Sequence, residues 1–230
     1  MSQTEMNTTE PYDQRIARIM SKIKALHDRR FSFSCGQWPP VWEPPISEEE
    51  AAAFEAKKGI RLPEDYRRFI TTIAGAGSQP FYGLMPLRQK EASVEKPFPY
   101  TPDHILYFLH MTEEEMDQFY DEDAPFTADN GLVALCTEGD GMDSVLVVNS
   151  SDPDTYGTVW YYDLANDCGI IPMRDKETGK IFRFLDWLEY WADRTAGLGS
   201  NEYFSFSETA QLPKAPDNPD IMGRKMGWIQ

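Results

Sequence analysis

The chain has almost no positive charge where it carries most of its negative charge. Its 230 residues include 22 lysines and arginines against 38 aspartates and glutamates, for a net charge of −16. From Glu91 to Met173 there are 18 acids and one base, Lys96, so that stretch alone sums to −17. A field of that sign repels nucleic acid and anionic membranes and draws in basic proteins. Acidic surfaces also serve solubility, so composition leaves the function open. Cysteine is scarce too. Cys35, Cys136 and Cys168 are odd in number and widely spaced, which argues against a disulfide framework and for a reducing, cytoplasmic setting. No stretch approaches the roughly 18 apolar residues of a membrane span. The opening MSQTEMNTTEPYDQ lacks the charged-then-apolar order of a secretory signal.

Chemistry-bearing motifs are also missing. His27, His104 and His110 have no metal-ligand spacing, either among themselves or with the cysteines. There is no HExxH and no G-x-S-x-G elbow. ETGKIF lacks the upstream glycine and following hydroxyl of a phosphate loop. GAGSQPFYG offers G-x-G, but it follows a helical pattern and has Pro80 where a third glycine belongs. It therefore reads as a tight turn into a strand through Phe81–Leu87 and not as a dinucleotide cradle. Glu138, Asp140 and Asp143 read as one loop between strands. Three carboxylates there suit either a hard cation or a solvated acidic hairpin. Asp163, at a strand end, reads as turn chemistry. No metal or cofactor is expected.

What is present is 41% hydrophobic and 13% aromatic residues, enough for a real core. Residues 13–30 place Ile16, Ile19, Met20, Ile23 and Leu26 on one helical face. FSFSCGQWPPVWEPP, residues 31–45, reads as an extended lead-in whose Trp38 and Trp42 serve either as core lids or as interface anchors. Ser47 and Glu50 form a capping box for a helix ending at Gly59. Pro63, Glu64 and Asp65 open a second helix with Tyr66, Phe69, Ile70 and Ile73 on its apolar stripe. It stops at Gly75. Residues 88–130 are the least regular, with a short helix behind the Thr112–Glu115 capping box. LVALC (132–136), SVLVVN (144–149) and GTVWYYD (157–163) read as antiparallel neighbours. On the third, Trp160 and Tyr162 share one face. IFRFLDWLEYWADRTAG gives a closing helix with Phe184, Leu185, Trp187, Leu188 and Trp191 inward. EYFSFS beyond it suggests an added strand.

These segments, taken in order, resemble the SMI1/KNR4 family of the SUKH superfamily. The likeness rests on the E-x-x-x-G-I-x-L-P-x-D-Y core at Glu55, Gly59, Ile60, Leu62, Pro63, Asp65 and Tyr66. It is extended by Tyr82-Gly83-Leu84, the central-strand segments GLVALCTEGDGMDSVLVV and GTVWYYD and the FRFLDWLEYW helix. It covers about residues 46–195. The resemblance implies an α+β domain with helices packed on a curved, mixed and largely antiparallel sheet. It also implies that the glycine corner marks a fold, and it brings no catalytic residue set. Many bacterial members are inferred to be immunity proteins that bind and neutralise toxins, frequently nucleases; eukaryotic members act as regulators or scaffolds.

The expected organisation is a lead-in over residues 1–45, the family-like domain over 46–197 with a divergent segment at 88–130, and an extension over 198–230. The expected function is non-enzymatic: binding of a basic protein toxin, with no nucleic acid and no membrane. The candidate contacts are Glu113, Glu114, Asp117, Asp121, Glu122 and Asp123 on the divergent segment, and Glu138, Asp140 and Asp143 on the hairpin. A regulatory scaffold binding a housekeeping partner is the alternative. A metal-dependent hydrolase using the 138–143 acids ranks last, because no histidine or lysine is placed for acid–base work beside them.

Overall fold

The structure, a computed structural model, describes residues 10–26, 39–87, 93–121, 125–199 and 202–210. Cys35, His27, Trp38, Glu122, Asp123 and the stretch 211–230 lie outside the described residues.

Among the described residues five strands form one sheet: β1 (Leu106–Tyr107), β2 (Leu132–Gly139), β3 (Met142–Val147), β4 (Val159–Asp163) and β5 (Gly169–Pro172), in the order β1-β5-β4-β3-β2. Every pairing of these strands is antiparallel, in line with the largely antiparallel sheet expected. The meander from β2 to β5 needs only short connections. The tightest is Asp140-Gly141, where both residues have positive φ, 52° and 79°. That is the backbone a two-residue type I′ hairpin demands. A Cβ on Gly141 would stand 2.4 Å from the Ala165 methyl of the β4–β5 turn, so the two turns abut through the missing side chain.

Five α-helices are seen among the described residues: α1 (Tyr12–Ala25), α2 (Glu48–Lys58), α3 (Glu64–Thr72), α4 (Glu113–Phe119) and α5 (Phe184–Gly197). The α2 capping box is closed in both directions: Glu50 N–H donates to Ser47 Oγ at 3.1 Å, and Ser47 N–H donates to the Glu50 carboxylate at 2.8 Å. The α2 cap is Gly59, at φ 63°. Pro63 is the cap of α3 rather than its first turn, and α3 ends at Thr72, three positions before the expected stop at Gly75. Asp65 is buried and does more than complement its own helix. It accepts from Tyr66 N–H and, across the molecule, from Leu185 N–H at the start of α5.

Because side chains alternate along strands, the sheet has two apolar faces, and both are covered. Val133, Leu135, Leu146, Val159 and Tyr161 pack against α1, α3 and α5, joining Ile19, Tyr66, Phe69, Trp187 and Leu188 in the larger core. The opposite face presents Leu132, Val145, Val147, Trp160, Tyr162 and Ile170. It is roofed by Phe98, Leu106, Phe108 and Ala128 from the segment that looked least regular in sequence.

The glycine corner is a packing device. Gly77 bridges Trp42, and a Cβ there would fall 2.5 Å from the Trp42 ring. Trp42 in turn meets Phe69 edge-on at 6.0 Å, so it is a core lid. Phe81–Leu87 is not the expected strand. Residues 80–83 are a turn, and the segment after it donates Tyr82 N–H to Thr137 O and Met85 N–H to Leu135 O. That lines the outer margin of β2 without forming a regular ladder. EYFSFS is not a strand either: residues 206–209 form a 3₁₀ turn. Two of its aromatics, Phe204 and Phe206, are buried, with Phe206 stacked on Trp187 at 5.4 Å.

Candidate interaction surface

The acids of the divergent segment sit on the roof over the second sheet face. Thr112 caps α4, its Oγ accepting from Glu115 N–H at 3.2 Å while Glu115 accepts from Thr112 N–H at 2.7 Å. This box fixes a seven-residue helix that buries no residue fully. Met116 and Phe119 reach down toward Phe108, with the Phe108 and Phe119 rings 5.2 Å apart. Glu113, Glu114, Asp117 and Asp121 are exposed. Tyr120 and Phe126, 54% and 46% exposed, stand beside them.

The three hairpin acids do not form one loop, as the sequence suggested. Only Asp140 lies at the turn, exposed; Glu138 belongs to β2 and Asp143 to β3. Asp143 pairs with Tyr162 and so faces the α4 side, whereas Glu138 turns to the helix side. There the Glu138 carboxylate accepts from Phe206 N–H at 3.0 Å and holds the 202–210 segment down. Burial pushes its carboxyl up to about 7, and Asp163 and Asp143 push the same way; Ser205 and the Phe206 N–H oppose them. Glu138 therefore acts as a structural latch on that segment and stands apart from the exposed acids. Among the described residues no group of three His, Cys, Asp or Glu is arranged to hold a metal ion.

Two residues that sequence reasoning passed over join the remaining acids. Asp163 makes the expected turn bonds, accepting from Asn166 N–H at 3.1 Å and Asn166 Nδ2 at 2.8 Å. The same Asn166 amide donates to Asp140 O at 3.1 Å. One residue further, Asp167 accepts from Tyr120 Oη at 3.3 Å. The β4–β5 turn thus ties the hairpin tip to α4. Asp140, Asp167, Asp121, Asp117 and Glu113 become one crescent from segments far apart in the chain. Asp167 was readable as an acid near a strand end, but nothing local marked it as the bridge.

Beside the crescent lies an open cleft of about 740 Å³. Leu109, Met111 and Met116 supply an apolar floor with Phe108 behind them, and Glu113, Asp117 and Asp167 stand around it. None of its lining residues is basic. A second hollow, of about 630 Å³, lies at Gly59–Leu62. There Glu55 accepts from Leu62 N–H at 2.8 Å and from Arg67 Nε at 3.3 Å. These contacts explain the Glu55 to Leu62 spacing as a loop clamp.

Helices on one face of an antiparallel meander and an irregular, acid-bearing roof on the other define an α+β domain. The model of the SMI1 / KNR4 family (SUKH-1) matches residues 45–193, and the chain belongs to this family. Comparison with curated proteins gave no match, and comparison with solved structures gave none. Helix α1 lies before the matched region, yet it shares the larger core. No helix among the described residues is long and apolar enough to cross a membrane.

Proposed function

We propose that the chain is a non-enzymatic immunity protein that binds and neutralises a basic toxin, a nuclease being the kind whose cleft attracts phosphates. The observation that carries this reading is the crescent. Acids from α4, the β4–β5 turn and the β2–β3 hairpin stand together on one side, tied by the Asn166–Asp140 and Tyr120–Asp167 hydrogen bonds. Carboxylates fixed in this way take the place of the phosphates that a basic cleft is built to hold. They raise the encounter rate, and short-range affinity comes from neighbouring aromatic and apolar side chains such as Tyr120 and Phe126. Membership of the family supports a binding role; the bacterial cytoplasm is the setting in which such a protein meets its toxin.

The test is co-expression with the product of the adjacent gene, where this chain should restore growth. In the purified pair, Asp117, Asp121 and Asp167 changed together to lysine should slow association by at least tenfold at low salt and flatten its salt dependence. An unchanged on-rate would remove the electrostatic part; absence of any rescue would remove the immunity role.

A further inference from the structure

Resting on the reading that a basic protein meets this face, we propose that the cleft between α4 and the Phe108–Met111 segment is a docking groove for an aliphatic anchor flanked by lysine or arginine. The groove is apolar where it is deepest and acidic where it opens. Leu109, Met111 and Met116 are each half-buried, and among the described residues they line an open cleft. Helix α4 closes the roof with only part of its apolar side, since none of its residues is fully buried. Methionine floors adapt to different anchors because the side chain is unbranched and polarisable. A volume of about 740 Å³ is in the range of sites that accept a few side chains.

The rim decides the occupant. Glu113 and Asp117 stand four residues apart on one helical face, about 6 Å between Cβ atoms, and Asp167 faces them from the β4–β5 turn. Among the described residues neither Glu113 nor Asp117 is ion-paired. An anionic occupant, nucleic acid or acidic lipid, meets repulsion at each of these three carboxylates. A purely apolar one desolvates them without compensation. A segment with an aliphatic residue between cations satisfies both parts, covering the floor while its ammonium or guanidinium groups pair with the rim.

The probe is the heptapeptide KLLKLLK, with KGGKGGK as its apolar-free control, titrated into the full chain carrying methyl-labelled methionine. The methyl signals of Met111 and Met116 should shift saturably, and the leucine peptide should bind at least tenfold more tightly than the glycine one. Asp117→Lys, on an exposed position, and Met116→Lys should each weaken the leucine peptide at least fivefold. Equal affinity for the two peptides, or shifts confined to other methionines, overturns the groove. So does concentration-dependent self-association that accounts for the shifts, since a second copy would then be the occupant. The two readings fail separately: peptide binding without toxin rescue sinks the immunity role alone, and intact rescue by Met116→Lys with unmoved methyls sinks the groove alone.

Discussion

The buried carboxylate of Asp65 accepts the backbone N–H of Leu185 at 3.3 Å, 120 positions along the chain, and so ties the first turn of α3 to the first turn of α5. Its other oxygen accepts Tyr66 N–H at 2.9 Å. Asp65→Ala strips both donors of their acceptor and is expected to cost about 2 kcal/mol. Asp65→Asn keeps one accepting oxygen and should cost about 1 kcal/mol. Urea denaturation of the three proteins measures the order; equal losses for Asn and Ala would show that the tie to α5 contributes nothing.

Glu138 makes stability depend on pH near neutrality. Its carboxyl is pushed up to about 7 in the fold, from the ordinary glutamate value of 4.5, by burial first and then by Asp163 and Asp143. Folding therefore takes up a proton. The stabilisation is complete below about pH 4.5 and is lost as the pH rises through 7. The wild type should melt higher at pH 5.5 than at pH 8. Glu138→Gln, which still accepts from Phe206 N–H, should flatten that difference; melting curves of both proteins across this range decide it.

Glu189 gathers three cations from α1: Arg15 at 3.4 Å, Lys22 at 2.7 Å, and Arg18. Its side chain is only 15% exposed, so the cluster is better shielded from salt than an ordinary surface pair. Glu189→Ala is expected to cost about 1–2 kcal/mol and to raise hydrogen exchange along α1 before the rest of the core. At 0.5 M NaCl the difference from wild type should narrow.

Gly141 and Gly179 form a matched pair of probes. Both have positive φ, 79° and 72°. A methyl at Gly141 strikes Ala165, whereas one at Gly179 meets nothing within 4 Å. Gly179→Ala should cost about 1 kcal/mol for its backbone conformation alone, and Gly141→Ala about 2–3 kcal/mol. Only the second should move the Asn166 side-chain amide signals, because it pushes the hairpin off the β4–β5 turn.

The helices were legible because their signals are local. Ser47 with Glu50, Thr112 with Glu115, and the Tyr66–Phe69–Ile70 stripe lie within two turns of chain, and the structure keeps them all. The β2–β3–β4 meander was legible from its short connections. Strand β1, two residues long, and β5, GIIP, were not, since neither is long enough to show a period. The segment after the glycine corner looked like a strand because it lies along one, through only two bonds to β2. Glu138 was misplaced for a nonlocal reason: its partner, Phe206 N–H, comes 68 residues later. The acids of the candidate surface were countable in sequence, but their contiguity depends on Asn166 and Asp167, which carry no motif.

The Tyr82–Met85 segment has a consequence for how this protein meets others. By capping Leu135 and Thr137 along the outer side of β2, it withdraws acceptors that a foreign strand would need for sheet extension. The far border, at β1, is only two residues long. Recognition is thereby steered away from backbone zippering and onto side chains, and the same seal guards the aromatic-rich sheet against stacking into fibrils.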